Sequence, residues 1–421
     1  MDREIEPPTE RDAERPRCPF DSRDAAFVAD PYASYRRLRE TSPLVWSDEL
    51  KGWMVTGYDA AQQVLRHEQV SVEKLGPYMA HLSEEERREV EPVNRLLADW
   101  MVFNDPPRHS RLRATFGRAF LPHEVERMRP RVRRVVAALL DDLRGREEIE
   151  FIADFAFPLP AYVITDLFGI APTEAPLLRD WSNDLARFVF RAPASRERNR
   201  RAATAATEMS AFFRRHIEAR QGQKPRGDLM DLLLQASDGP EALTLDELNS
   251  TLVLLLFAGH ETTMNLLANG LHWLLRRPEA MAQLRAEPAL VARAVEEILR
   301  FEGPAHTMVR LAVADLEIAG QTIRKGERVF VSLGAADRDP ARFPDAEQFD
   351  IARQRNQHIA FGFGIHFCLG APLARLEAQE AFQQLLRRFA SIEAAGGEPE
   401  WSEGLVVRGM RALPLKVRFA A

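Results

Sequence analysis

The stretch FGFGIHFCLG, Phe361 to Gly370, sets one of only two cysteines in the chain among three glycines, three phenylalanines and a histidine. The residues after it, APLARLEAQEAFQQLLRRFA, are amphipathic and helix-forming, so Cys368 stands just ahead of a helix start. Free backbone N–H groups and the positive end of the helix dipole favour a thiolate over a thiol there. Glycines at 362, 364 and 370 permit positive φ and let the backbone approach a flat ligand closely. The pattern suits a sulfur ligand under a planar cofactor. Taken alone, a lone cysteine is more often an inert buried thiol. Zinc fits poorly, because a structural zinc site needs several Cys or His ligands at close spacing. A nucleophilic cysteine, with His366 two residues away as its base, is the stronger rival.

Working outward, the chain of 421 residues is 45% hydrophobic and 29% charged, enough to enclose a large core and bury a ligand. A net charge of −6 argues against nucleic acid as a partner, and arginine clusters must be judged by position. Two cysteines, Cys18 and Cys368, are not a secreted disulfide framework, so a reduced cytoplasmic setting is expected. The charged, proline-bearing residues 1–20 read as a disordered arm, and no composition break divides 21–421, so a single domain is expected there. The longest apolar run, Leu252 to Gly259, is far short of the roughly 20 residues a membrane span needs, so no membrane association is expected.

Periodicity predicts helices over 123–144, 154–168, 197–220, 244–275 and 288–302, and strands between Thr307 and Val331 with a turn at RKGE. Residues 76–100 read as a loop with one short helix. The fold class is therefore mainly α with minor β.

Three further motifs stand out. In AGHETT, Ala258 to Thr263, a glycine, an acid and two hydroxyls interrupt an apolar helix that opens on a capping box, Thr244 to Glu247. Hydroxyls of this kind often only bond back to a carbonyl one turn earlier. EILR spaces Glu297 and Arg300 i, i+3, which alone implies no more than a helical ion pair. In NDPPRHSRLR, Asp105 is a good N-cap with Pro106 and Pro107 in the first turn, and His109 and Arg113 share a face, able to reach one anion.

In this order and with these fixed positions, the chain resembles the haem-thiolate monooxygenases of the cytochrome P-450 superfamily, soluble bacterial type, from about residue 20 to the C-terminus. The resemblance implies a triangular helical prism with a small β-rich region. It implies haem b (iron protoporphyrin IX), with Cys368 as axial ligand of the iron and Phe361 and Gly370 beside it. Ala258 and Gly259 would open a groove over the haem, and Glu261 and Thr262 would deliver protons to bound O2. His109, Arg113, Arg310 and His366 would hold the propionates, which removes His366 as a nucleophile's base. Glu297, Arg300 and Arg353 would brace the core without taking part in the chemistry.

The implied reaction inserts one oxygen atom of O2 into a hydrophobic small molecule, such as a terpenoid, steroid, fatty acid or macrolide- or polyketide-like compound. Phe188, Leu255, Ala305, His306 and Val406 are the expected pocket residues. Two cysteines cannot hold a ferredoxin-type cluster, so electrons would come from NAD(P)H through a separate ferredoxin and ferredoxin reductase. Arginines 108, 111, 113, 118, 353 and 355 would offer the ferredoxin a basic patch on a monomer. A peroxide-driven peroxygenase is the alternative, although such members typically lack the acid and alcohol pair. A haem-based sensor without turnover is a further one.

Overall fold

The computed structural model describes residues 15–18, 21–73, 75–190, 195–236 and 243–420. Its organising element is the helix Leu245–Leu275, started by the expected capping box, in which Thr244 and Glu247 satisfy each other's backbone N–H. By length and composition this helix could cross a membrane, but 72% of its most apolar window is buried within the protein. It is a core helix. Packed on it are Pro158–Phe168, Arg196–Arg220, Val291–Glu302 and Ala371–Arg388. Leu252, Leu256, Leu267, Leu271, Ile298 and Phe382 form part of the principal apolar core between these helices. Each such side chain contributes about 1.5–3 kcal/mol by leaving water.

A six-stranded sheet lies to one side, in the order Arg17–Cys18, Leu44–Ser47, Gly52–Val55, Arg328–Ser332, Thr307–Ala312, Val70–Ser71. Thr307–Ala312 runs antiparallel to Arg328–Ser332, with Thr307 opposite Ser332. The RKGE turn between them places Gly326 at φ +88°, a left-handed value that glycine adopts without strain. A second sheet joins Phe389–Ala394, Pro414–Phe419 and Glu148–Glu150.

Several local expectations are corrected. Arg17–Cys18, within the expected disordered arm, pair in parallel with Trp46 and Ser47. Arg15 anchors that end, its guanidinium 4.7 Å over the Trp46 ring and 2.9 Å from Glu327. Residues 1–14, 19 and 20 of the expected arm lie outside the described residues. The segment expected as loop holds three short helices, Leu75–Ala80, Glu84–Glu89 and Glu91–Ala98. A Ser83–Glu86 capping box starts the second, and burial of Val93, Leu96 and Leu97 holds the third. The 154–168 pattern divides into a π turn, Ile152–Ala156, and the helix Pro158–Phe168, because Pro158 has no N–H to continue the ladder. Asp105 does not cap the helix Arg108–Gly117. Its carboxylate accepts from the Ser71 hydroxyl and, at 3.1 Å, from Val72 N–H, and so ties the helix to a strand.

Candidate active site

Between the helix Leu245–Leu275 and the loop before Ala371–Arg388 lies an apolar cavity of about 260 Å³. Cys368 is in its wall. The loop geometry depends on glycine at two positions. Gly362 and Gly364 both sit at φ +75°, and a Cβ on Gly364 would stand 2.7 Å from the Leu65 carbonyl oxygen. Gly370 is different. It caps the helix at φ −78°, so it has no need of a left-handed conformation, and the positive φ expected there is corrected. Cys368 N–H donates to the Phe361 carbonyl at 2.9 Å, closing the loop on itself.

The sulfur's electrostatics also differ from the sequence expectation. Burial is the largest influence and pushes the Cys368 thiol up. The N–H of Gly370, the charges of Arg113 and Arg375, and the N–H of Ala371 oppose it without overcoming it. Desolvation penalises a lone anion more than a helix start favours it. A thiolate here therefore calls for a cation inside the cavity.

On the helix Leu245–Leu275, Ala258 and Gly259 are exposed among mostly buried neighbours. Both line the cavity, and a Cβ on Gly259 would meet no atom within 4 Å. Thr262 also lines it, its hydroxyl donating to the Ala258 carbonyl at 2.7 Å. Glu261 is half-buried beside it and is not part of the wall. His260 points away from the cavity. Its ring bonds to the Phe157 carbonyl at 3.0 Å, and burial lowers its pKa to about 4.

At one edge of the cavity His109 and His366 stand with ring centroids 4.1 Å apart. Both nitrogens of His109 and Nε2 of His366 are buried without a partner among the described residues. Burial, then the charges of His109, Arg310 and Arg113, lower His366 to about 3. Burial lowers Arg310 to about 10. Four basic groups so crowded call for anions, and two carboxylates of a planar cofactor supply them. The residues present thus fit an iron porphyrin: a sulfur short of a cation, a groove that a side chain would fill, and donors short of acceptors.

Outside the cavity, Glu297 and Arg300 are 0% exposed and meet at 2.7 Å. Glu297 accepts from five donors: Arg300 Nε and Nη2, Arg353 Nε, Asn356 Nδ2 and Asp350 N–H. Arg300 also donates to the carbonyls of Asp337, Ala346 and Gln348.

Of the expected pocket residues, Leu255 and Ala305 line the cavity. Phe188, His306 and Val406 are not among its lining residues, which corrects their placement. Phe188 packs under Arg198, whose guanidinium lies 5.4 Å from its ring. His306 turns into a buried polar cluster, 3.4 Å from the hydroxyls of both Tyr32 and Tyr35, because its ring finds hydrogen-bonding groups there. Val406 contributes its carbonyl to His306 N–H at 2.9 Å. Phe120, Ile164, Leu373 and Glu377 line the cavity without having been singled out. In the sequence they have the same apolar helical spacing as core residues, or, for Glu377, the look of a surface acid.

The proposed docking arginines divide as well. Arg108 pairs with Asp99 and Arg111 with Glu247, and Arg353 is bound to Glu297, so the charge of each is already offset within the chain. Arg113 lines the cavity. Arg118 and Arg355 remain exposed.

Comparison with known proteins agrees with this geometry. The family model described as Cytochrome P450 matches residues 45–418. The biotin biosynthesis cytochrome P450 of Bacillus subtilis (strain 168) is 36% identical over 92% of this chain and 96% of its own length. The cytochrome P450 monooxygenase PikC of Streptomyces venezuelae is 38% identical over 93% of this chain and 92% of its own. The crystal structure of P450BioI in complex with an acyl carrier protein ligated to hexadec-9Z-enoic acid superposes with a TM-score of 0.86. That match has 36% identity and covers 93% of this chain and 99% of that one. With the fold, the cysteine loop and the family model in agreement, this chain belongs to the cytochrome P450 family of haem-thiolate monooxygenases.

Proposed function

We propose that this enzyme hydroxylates or epoxidises a hydrophobic small molecule of the fatty-acyl, polyketide or macrolide type, bound between haem b and the wall formed by Leu255, Ala305, Ile164 and Val102. The observation that carries this is that Cys368, Ala258 and Gly259 line one apolar cavity together with His109, Arg113 and His366. Relatives support the substrate class: one is named a 6-deoxyerythronolide B hydroxylase, and one structure carries a fatty-acyl carrier protein.

The bound haem supplies oxygen activation, which a thiolate ligand favours by donating electron density. The protein does the rest. Cys368 ligates the iron, Phe361 and Gly370 shape its loop, and His109, Arg113, Arg310 and His366 hold the propionates. The apolar wall excludes water and orients the substrate. Thr262, in the cavity wall, keeps its hydroxyl proton on the Ala258 carbonyl, which leaves its oxygen to act as an acceptor for a water or a bound ligand. Glu261, adjacent on the same helix, brings exchangeable protons to that position. This pair supports the O2-dependent reading over a peroxide-driven one.

Electrons come from NAD(P)H through a separate ferredoxin and its reductase. Arg118 and Arg355, with the exposed Leu121 and Ile365, support docking near the cysteine loop. The working unit is one domain that takes in the strand Arg17–Cys18, acting as a cytoplasmic monomer. The deciding experiment is the reduced, carbon monoxide-bound spectrum of the wild type and of Cys368→Ser. A thiolate-type Soret band that disappears in the variant supports the assignment, and a band that survives overturns it. Turnover with a ferredoxin system and O2, but not with peroxide alone, separates the two reaction modes.

A further inference from the structure

A second charged assembly touches the cysteine loop from outside the cavity. Glu296 precedes Glu297 on the helix Val291–Glu302 and takes no part in the Glu297 network. It receives both Nε and Nη2 of Arg375, at 2.7 and 2.8 Å, in a two-pronged ion pair. His358 Nε2 lies 3.1 Å from the same carboxylate. Arg375 is on the helix that follows the cysteine, and its guanidinium stacks 4.5 Å over the ring of Phe361. Phe361 lines the cavity, and its carbonyl holds the Cys368 N–H at 2.9 Å. The pair is therefore linked to the sulfur through the loop that fixes it.

Neither Arg375 nor Glu296 is among the residues that line the cavity, so neither is placed to touch a substrate. Their side chains are 29% and 28% exposed, so solvent screens the pair only in part. Arg375 is one of two arginines whose charge favours an ionised Cys368. Burial pushes the Glu296 carboxyl up, but hydrogen bonds from His358 and Arg375, and their charges, hold it at about 2. Glu296 is thus ionised across the working range, and it opposes and positions the arginine's charge.

We propose that Arg375 and Glu296 act as an opposed charge pair that sets how readily the cofactor held by Cys368 accepts its electron, Arg375 promoting the reduction and Glu296 restraining it. This rests on the haem-thiolate reading above. The step is the one-electron reduction of ferric to ferrous iron, with the electron supplied by the redox partner. The added negative charge is shared with the sulfur, so a guanidinium nearby favours reduction and a carboxylate disfavours it. Both are positioning residues, since they act through the loop and the field.

The test is an anaerobic reductive titration of substrate-free holoenzyme, reading the ferric/ferrous midpoint. The variants are Arg375→Gln, Glu296→Gln, their combination and Arg375→Lys, each checked for the thiolate-type carbon monoxide band. The midpoint falls in Arg375→Gln and rises in Glu296→Gln. It lies between the two in the double variant, and stays nearer wild type in Arg375→Lys than in Arg375→Gln. Shifts of both single variants in one direction, or no shift with the band intact, overturn the proposal, because lost packing has no reason to reverse sign with charge. Should Arg375→Gln not load haem, Glu296→Gln decides alone: a rise supports the pair, and a fall or no change refutes it. A thiolate band that persists in Cys368→Ser would instead refute the ligand assignment itself.

Discussion

Replacing Glu297 by Gln changes the side chain's shape little and removes one charge from a site that is 0% exposed. The carboxylate there accepts from five donors, three of them nitrogens of Arg300 and Arg353. An amide offers one oxygen and turns two hydrogens of its own toward those guanidinium groups. Arg300, also 0% exposed, is left with its charge uncompensated, though the carbonyls of Asp337, Ala346 and Gln348 still hold it in place. Breaking a buried pair from one side costs about 3–5 kcal/mol. An unfolding entropy of about 2.1 cal/mol/K per residue gives about 0.9 kcal/mol/K for 421 residues, so Tm falls by ~3–6 °C. Calorimetry of the holoenzyme reads Tm, and urea unfolding reads the free energy. Glu297 does not line the cavity, so the carbon monoxide band of the folded fraction keeps its position. A loss below about 1 kcal/mol would refute the reasoning, by showing that the network is hydrated or that its charges are balanced elsewhere.

Gly364→Ala puts a side chain at φ +75° with its Cβ 2.7 Å from the Leu65 carbonyl, and it is expected to cost about 1–3 kcal/mol and to lower haem content. Gly370→Ala, at φ −78° with only Cys368 Sγ at 4.0 Å, stays within about 1 kcal/mol of wild type and keeps the thiolate band. Haem quantification and thermal unfolding check both. His306 is held at about 3, chiefly by burial and then by the charge of Arg408, against 6.5 when unfolded. Below about pH 6.5 the unfolded chain therefore binds the extra proton, and stability falls as pH drops toward 3. Between pH 7 and 5.5 the wild type is expected to lose about 1 kcal/mol more than His306→Gln in urea unfolding; parallel curves would exclude His306 as the source.

Much of the active site is local in sequence and was legible there. Thr244 and Glu247 lie three apart, so their capping box depends on nothing distant. His109 and Arg113 share a helix face by spacing alone, and Gly362, Gly364 and Cys368 belong to one loop. Other outcomes depended on residues far along the chain. Arg111 read as part of a basic face until Glu247, 136 positions later, pairs with it. His306 read as a polar pocket residue until Tyr32 and Tyr35, more than 270 positions earlier, enclosed its ring. Asp105 read as a cap, but Ser71, at the end of a neighbouring strand, and Val72 just after it take its carboxylate.

By itself, the sequence determined the kind of chemistry: the cysteine loop, the interrupted apolar helix, the E-x-x-R pair and the His/Arg face each carry their residues at short fixed spacing, and their order specifies the family. Tertiary structure alone decided the electrostatics. Whether the Cys368 sulfur is favoured as an anion depends on how fully packing removes water from it, and which arginines remain free depends on which distant carboxylates they meet. Desolvation and long-range charge pairing are properties of the assembled interior, so periodicity and motif spacing along the chain do not encode them in readable form.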